Sequence, residues 1–507
     1  MNRENKPKKA ISSPIYHSHL FLRKTLYKNI VQHNSMENWL GLYSSVKSSD
    51  LLKFEKKKGA LIGFNVNIDK IIQINPTIID EILSSEVIDR VNLIQEPPSN
   101  VETIYNFFNN LFYTIKNQRA DEVLINSQNL ANWIEDTFTI KEVKIGGQAG
   151  IIANLYRKLG LEKVLLSLPI FDTDLMNLLE PNILTILKKD SRYSIEKISN
   201  IKGQKEKSIT HYVFEFTKGI YTIGNYKLDC KRANRLIFSH DEVNTQLAIN
   251  EGFMNYCEMF LPDYSLAIIS GFHLLSQRIN TSTSFYDLIK PIEVMIRKWK
   301  AINPHLCIHL EIASTKNSSL RKTIIDTLFP IVDSIGLNEQ ELMSFIEIIE
   351  PKLASELERS VTSITVFQAL NKIFSLYSNL RIHFHYLGYY LILSSSIEQE
   401  IAEIRKTGLI LSSLFAALKA NGVLISSLKD IEKASLDLST TGFEQIKQLQ
   451  AHLDDKYLMK SEFYRTGIIH TDKFSLVGIP TIVVKDPYVI VGLGDLISSI
   501  SLFYETR

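Results

Sequence analysis

The sequence predicts an α/β protein: a mostly parallel sheet with helices between its strands, interrupted by a smaller β-rich piece. Three observations predict it. Short apolar runs such as Ala60-Leu-Ile-Gly-Phe-Asn65 end in polar residues, as buried parallel strands do on entering a functional loop. A βαβ unit follows: a strand leads into Gly146-Gly147, a helix carries Ile152, Leu155, Tyr156 and Leu159 on one face and stops at Gly160, and 164–171 is strand-like again. Finally, Ser208-Ile-Thr-His-Tyr-Val-Phe-Glu-Phe216 and Gly219-Ile-Tyr-Thr-Ile-Gly224 are β-branched and aromatic, with a short turn between them, and read as an antiparallel ribbon.

Beyond about residue 265 the βα rhythm returns. Strands are expected over 266–270, 307–313, 332–336, 381–384 and 481–485, and 409–428 reads as a buried helix despite Lys419 and Asn421. Residues 1–45 carry mixed charge and weak periodicity and read as an N-terminal extension. The expected division is a discontinuous large domain (46–75, 146–170, 245–507) and a small lid (76–145, 171–244).

With 507 residues, 45% hydrophobic and 22% charged, the chain has the composition of a globular protein of two or three domains. Its 57 Lys and Arg against 55 Asp and Glu give a net charge of +2, which excludes the charge excess of a dedicated nucleic-acid binder. Cys230, Cys257 and Cys307 are odd in number and far apart, so neither a disulfide framework nor a zinc site is encoded and a reducing compartment is expected. The basic start MNRENKPKKAISSPIYHSH has no apolar run behind it, and no stretch reaches membrane-span length, so a cytoplasmic location is expected.

Several polar groups fall where open α/β sheets bind ligands. Gly492-Leu-Gly-Asp495 runs straight into a helix, so a glycine turn presents backbone N–H groups to an anion beside a carboxylate that can take a proton; a capping Asp is the plainer use. His309 and Glu311 lie two apart on one strand face. Asn338-Glu-Gln-Glu341 reads as a capping box, and Glu311 with Glu341 also suits Mg²⁺, directly or through water. Asn65-Val-Asn-Ile-Asp69 places three polar side chains at the end of the first strand, for a many-hydroxyl substrate or an Asx turn. Gly146-Gly-Gln148 opens its helix without bulk, either for a ligand or for tight packing, and the absence of GxxxxGK[ST] argues against a P-loop.

Taken in order, these segments resemble the ADP-dependent glucokinase and phosphofructokinase family of the ribokinase-like fold. The matching residues are Gly63-Phe-Asn-Val-Asn-Ile-Asp69, Gly146-Gly-Gln-Ala-Gly-Ile-Ile-Ala-Asn154, Asn234-Arg-Leu-Ile237, His309-Leu-Glu-Ile-Ala-Ser314, Asp333-Ser-Ile-Gly-Leu-Asn-Glu-Gln-Glu-Leu342, Arg381-Ile-His-Phe-His385 and Val491-Gly-Leu-Gly-Asp495. The resemblance implies a three-layer core with a β-rich lid, and transfer of the β-phosphoryl group of Mg-ADP to glucose, leaving AMP. It puts the catalytic base on Asp495, charge stabilisation on Gly492 to Gly494, and the phosphate-contacting arginine on Arg235, with Arg232 as the second candidate. Metal-associated carboxylates fall on Glu311 and Glu341, with Asp495 beside them; nucleotide contacts fall on Asn338, His385, Tyr386, Val484 and Gly494. Sugar contacts fall on Asn67, Asp69, Gly147, Gln148 and His211, and a lid glutamate that favours glucose falls on Glu122.

Three departures stand out: Leu496 where the family usually has Thr, Tyr386 in place of Thr after His385, and Asp486-Pro-Tyr-Val-Ile490 without the usual hydroxyl residue. The alternatives are an ADP-dependent 6-phosphofructokinase or bifunctional enzyme, using Lys202, Lys205, Lys207 and Arg232 as a phosphate pocket, and a catalytically weakened sugar or nucleotide sensor. Expected partners are ADP and a hexose, with neither nucleic acid nor membrane; the sequence leaves the oligomeric state open, a monomer included.

Overall fold

The computed structural model describes residues 35–48, 58–83, 97–98, 100–118, 120–205, 209–223, 226–231, 233–277, 283–489 and 492–506. Its backbone is organised by two sheets. The larger has eleven strands, in the order Ile468–His470, Ser475–Pro480, Tyr389–Ser394, Arg381–Tyr386, Ser334–Leu337, Cys307–Glu311, Tyr264–Ile269, Gly59–Gly63, Val164–Leu166, Leu184–Lys189 and Arg192–Lys197. From Arg381–Tyr386 to Leu184–Lys189 every neighbouring pair is parallel, and the outer strands are antiparallel.

Alternation along the central strands feeds two cores. Leu61, Leu165, Ile269, Ile308 and Ile335 join one apolar cluster, while Ala60, Ile62, Val164, Leu166 and Ile268 join the other. Helices Phe285–Ile302, Glu339–Ile349 and Ser363–Leu376 cover the first face; Gln148–Lys158, Gln399–Ala420 and Leu493–Glu505 cover the second. This is the three-layer arrangement that near-continuous apolar strands require.

The second sheet has six strands, in the order Asn100–Val101, Asp121–Ile125, Asn234–Asp241, Ile209–Phe216, Asn67–Ile74 and Glu142–Gly146. One face is aromatic: Tyr212, Phe214, Phe216 and Phe238 pack with Phe107, Phe108 and Phe112 of helix Ile104–Asn117. Because strand side chains alternate, the other face receives Asp69, Glu122, His211, Arg235, Ser239 and Asp241. Every candidate residue of this sheet is thereby sorted onto one side.

Several sequence expectations are corrected. Among the described residues, 209–216 and 219–223 do not pair with each other. Ile209–Phe216 is a central strand, paired with Asn234–Asp241 and Asn67–Ile74, whereas Gly219–Ile223 forms a ribbon with Tyr226–Cys230. The domain boundaries shift as well: 67–74 belongs to the small sheet, and Leu184–Lys189 and Arg192–Lys197 extend the large one, because Ile186 enters the core containing Leu165 and Phe253. The strand expected over 481–485 is not formed: the ladder ends at Pro480, and beyond it Ile482 N donates to Ser413 Oγ at 2.9 Å instead of to a neighbouring strand. Of the expected extension, 1–34 lies outside the described residues, but helix Ser35–Ser48 is part of the core. Its Trp39 Nε1 donates to Tyr464 O at 2.8 Å and its Tyr43 hydroxyl to Pro480 O at 2.8 Å. No helix among the described residues is long and apolar enough to cross a membrane.

Candidate active site

Candidate residues from the polar face of the small sheet meet others from the carboxyl ends of the large-sheet strands: Arg235 feels the charge of Asp495, and Gln148 hydrogen-bonds Asp495. Where they meet is the start of the last helix. Gly492 is the N-cap residue, with φ 67°, a left-handed conformation that glycine takes without steric cost. Asp495 does not cap the helix. Its Oδ1 accepts a hydrogen bond from Gln148 Nε2 at 3.1 Å, and burial pushes its carboxyl up, opposed by that bond and by the charges of Lys419, His273 and Arg235. Gln148 is itself clamped: Nε2 also reaches Ile312 O at 3.3 Å and Oε1 accepts from Gly271 N at 3.1 Å.

The first-strand motif divides at Asn65, whose φ of 66° breaks the extended run, so the expected alternation begins only at Asn67. Asn67 Nδ2 donates to Asp69 Oδ1 at 2.7 Å. The two glycines preceding the helix make room for that pair: a Cβ on Gly146 would strike Asp69 and Asn67 side chains, and one on Gly147, at φ 72°, would strike the Asn65 carbonyl. Tight packing is therefore what Gly146 and Gly147 serve directly, and its beneficiary is the Asn67–Asp69 pair.

Asp69 and His211 are register partners on parallel strands. His211 Nε2 lies 3.0 Å from Asp241 Oδ2 and Nδ1 lies 3.6 Å from Glu122 Oε1. Burial alone would lower the imidazole, but Asp241, Glu122 and Asp69 together raise it to about 9, so His211 is a cation at neutral pH. Glu122 accepts from the Ser239 hydroxyl at 2.5 Å and faces His273 Nε2 at 3.6 Å. Burial would raise its carboxyl, yet His273, His211 and Ser239 bring it down to about 2, which keeps it anionic. Arg235, register partner of Glu215, has a buried Nε without a hydrogen-bond partner among the described residues, and burial lowers its guanidinium against the pull of Asp495, Glu122, Glu215 and Asp69.

Glu311 and Glu341 come to the same region from successive strand ends. Burial pushes the Glu311 carboxyl well up, reinforced by the charges of Asp495 and Glu341. His309 is kept neutral by burial, and its Nε2 lies 2.8 Å from Glu311 Oε2 while Nδ1 lies 2.9 Å from Ser334 Oγ. The capping box is real: Asn338 Oδ1 accepts from Gln340 N and Glu341 N, and Glu341 Oε2 accepts from Asn338 N at 2.8 Å. Burial, with Asp495 adding repulsion, nevertheless raises Glu341 to about 8.

His385 sits under the glycine turn, where a Cβ on Gly494 would come within 2.9 Å of its Nε2, and burial lowers its imidazole to about 4. Tyr386 packs against Phe384 and Tyr389. Val484 is half-buried on the core that holds Ile482. Lys202 and Lys205 are exposed, whereas Lys207 and Arg232 lie outside the described residues.

Sequence reasoning missed Ser239, Asp241, Asn244, His273 and Lys419. Ser239 and Asp241 were findable, since they continue the alternation of Arg235 along one strand. Asn244 ties the turn after strand Asn234–Asp241 to the residue before strand Asn67–Ile74, donating to Val66 O at 3.1 Å and to Asp241 Oδ2 at 2.6 Å. Lys419, a lone cation near the end of an apolar helix, donates to Gly492 O at 2.8 Å. Nothing in the sequence marks His273.

The chain matches the family model described as the ADP-specific phosphofructokinase/glucokinase conserved region over residues 58–504. It is 29% identical over 476 residues to the ADP-dependent glucose/glucosamine kinase of Pyrococcus furiosus, covering 93% of this chain and 99% of that one. It is 24% identical to the ADP-specific phosphofructokinase of Methanosarcina acetivorans, covering 87% and 91%. A solved ADP-dependent kinase in complex with fructose-6-phosphate and ADPbetaS superposes with a TM-score of 0.79 at 24% identity, covering 94% of this chain and 99% of that one. A glycine turn that sets a half-buried carboxylate within hydrogen-bond reach of Gln148, on a fold shared over nearly the whole length, goes with that match: the chain belongs to the ADP-specific phosphofructokinase/glucokinase family.

Proposed function

We propose that the protein transfers the β-phosphoryl group of ADP to a hydroxyl of glucose, giving glucose 6-phosphate and AMP. The observation that carries this reading is the Gln148–Asp495 hydrogen bond, which couples a candidate base to the residues beside Asn67 and Asp69. In the step proposed, the sugar hydroxyl oxygen bonds to the β-phosphorus, the bond from that phosphorus to the bridging oxygen breaks, and the hydroxyl proton goes to Asp495. Burial raises Asp495, which makes its carboxylate a stronger base than an exposed one. The amides at Gly492 to Gly494 and the Arg235 guanidinium would meet the charge of the transferring group.

Glu311 and Glu341 are the residues that would hold Mg²⁺. The fit rests on their chemistry: both are buried oxygen donors raised by burial and by the charge of Asp495, a repulsion that a hard divalent cation relieves. Two carboxylates suffice for such an ion, which keeps several waters and takes phosphate oxygens. When bound, Mg²⁺ would neutralise charge on the phosphates.

Asp69, Gln148 and His211 are assigned to the sugar, and Asn338, His385, Tyr386 and Val484 to the nucleotide. The preference for glucose over fructose 6-phosphate rests on Glu122, which remains anionic. A cytoplasmic location fits the three free cysteines. Steady-state rates for ADP and ATP, each with glucose and with fructose 6-phosphate, test the reading. AMP formation dependent on glucose is expected; turnover with ATP alone, or with fructose 6-phosphate alone, overturns it.

A further inference from the structure

Lys419 is an unexpected residue in its helix. From Leu409 to Leu418 helix Gln399–Ala420 is entirely buried and carries no charge. The other inward lysine of that helix, Lys406, has a carboxylate, with Glu403 Oε2 2.7 Å away. Lys419 forms no ion pair among the described residues, and its one hydrogen bond crosses to a different helix, at Gly492 O. A lysine near a helix C-terminus ordinarily serves the carbonyls of its own last turn. This one is directed instead at the turn that presents Asp495.

The missing side chain of Gly492 completes the arrangement. A Cβ there would lie 2.9 Å from Lys419 Nζ, 3.1 Å from Ile151 Cδ1 and 3.6 Å from Asp495 Oδ2, so the ammonium and the carboxylate approach the same side of the turn, closely enough that only glycine fits between them. The first turn of the last helix reads Leu493-Gly-Asp-Leu496 and supplies no side-chain hydrogen-bond donor. Leu496 is buried in the core. An anion at this turn thus meets backbone amides, and any cationic partner must come from another element. Of an ammonium's three N–H bonds, Gly492 O takes one and leaves two.

We propose that Lys419 is a catalytic residue for the proposed phosphoryl transfer, holding the turn through Gly492 O and donating its remaining N–H bonds to the β-phosphoryl group as it passes from ADP to the sugar. The inference rests on the kinase reading above. It adds a cation from helix Gln399–Ala420 to the Arg235 guanidinium from the small sheet, both of which act on the charge of Asp495.

The β-phosphoryl group is the whole difference between ADP and AMP, so the two nucleotides separate this role from turn-holding alone. With Mg²⁺ fixed, dissociation constants for ADP and AMP are measured by titration calorimetry on wild type, Lys419→Gln and Lys419→Arg. Lys419→Gln is expected to weaken ADP about tenfold or more, the usual scale for a charge-assisted bond to phosphate, and to leave AMP within about twofold. Lys419→Arg, which keeps the charge, should restore part of the lost ADP affinity. Equal weakening of both nucleotides, or no change in either, overturns the inference, as does an arginine variant no better than glutamine. These constants are read without turnover, so an inactive wild type would defeat the kinase reading while the ADP-to-AMP ratio still decides the place of Lys419.

Discussion

Gln148 Nε2 stands 3.1 Å from Asp495 Oδ1, so residues 347 positions apart in the chain share one hydrogen bond. With Oε1 fixed by the Gly271 amide, the Gln148 carboxamide is held in one orientation and Asp495 is aimed rather than merely present. Asp495→Asn preserves shape but removes the proton acceptor. Turnover should fall by at least about 10³-fold while the melting temperature holds or rises, since a buried carboxyl that resists ionisation is costly to fold. A folded variant with near-normal turnover contradicts the assignment.

Glu311→Gln and Glu341→Gln separate charge from shape. Glutamine keeps an oxygen that accepts the Asn338 amide, so the capping box at Glu341 survives. Each variant should need several-fold more Mg²⁺ for half-maximal rate, because a carboxyl that can ionise against the cation is replaced by one that cannot. Unchanged Mg²⁺ titrations for both would reduce these residues to their structural roles.

Gly146→Ala should raise the KM for glucose with little effect on the KM for ADP. The added Cβ runs into Asp69, proposed above to meet the sugar, and its partner Asn67. Comparable increases in both KM values would place the damage elsewhere.

Glu122→Ala removes a carboxylate from between His211 and His273. Glucose use should weaken, and exclusion of fructose 6-phosphate should relax, since the anion that repels a phosphate is gone. Unaffected glucose kinetics would remove Glu122 from the specificity determinants.

The same cluster sets a pH dependence of stability. His211 faces Asp241 and Glu122, with Asp69 beside it on the neighbouring strand, and is raised from 6.5 to about 9. A raised folded value stabilises fully below the unfolded value and is lost as pH climbs through about 9. Glu122, lowered from 4.5 to about 2, stabilises above 4.5 and is lost as pH falls through about 2. Melting temperatures from pH 7 to 10 should fall more steeply for wild type than for His211→Gln. Parallel curves would show that His211 carries no charge in the folded protein.

Much of this was legible because period-2 alternation sorts a strand's residues onto two faces from sequence alone. Asp69 and His211 share a face for the same reason that Phe214 and Ile72 share the opposite one. The Glu341 capping box was likewise readable from its spacing. Pairing was not. Ile209–Phe216 and Gly219–Ile223 look like a hairpin locally, but each gains more from other neighbours, with Asn234–Asp241 antiparallel on one side of the first and Asn67–Ile74 parallel on the other. His273 and Lys419 were opaque because their roles depend on elements far away in sequence, Glu122 for one and Gly492 for the other.

The central claim, direct transfer of the β-phosphoryl group of ADP to glucose, is tested most directly by a single-turnover experiment with enzyme in excess over ADP labelled in its β-phosphate. Rapid quench should show the label moving to glucose 6-phosphate as AMP appears in equal amount, with Asp495→Asn showing neither. Label remaining in ADP, or released as inorganic phosphate whether or not glucose is present, would contradict it.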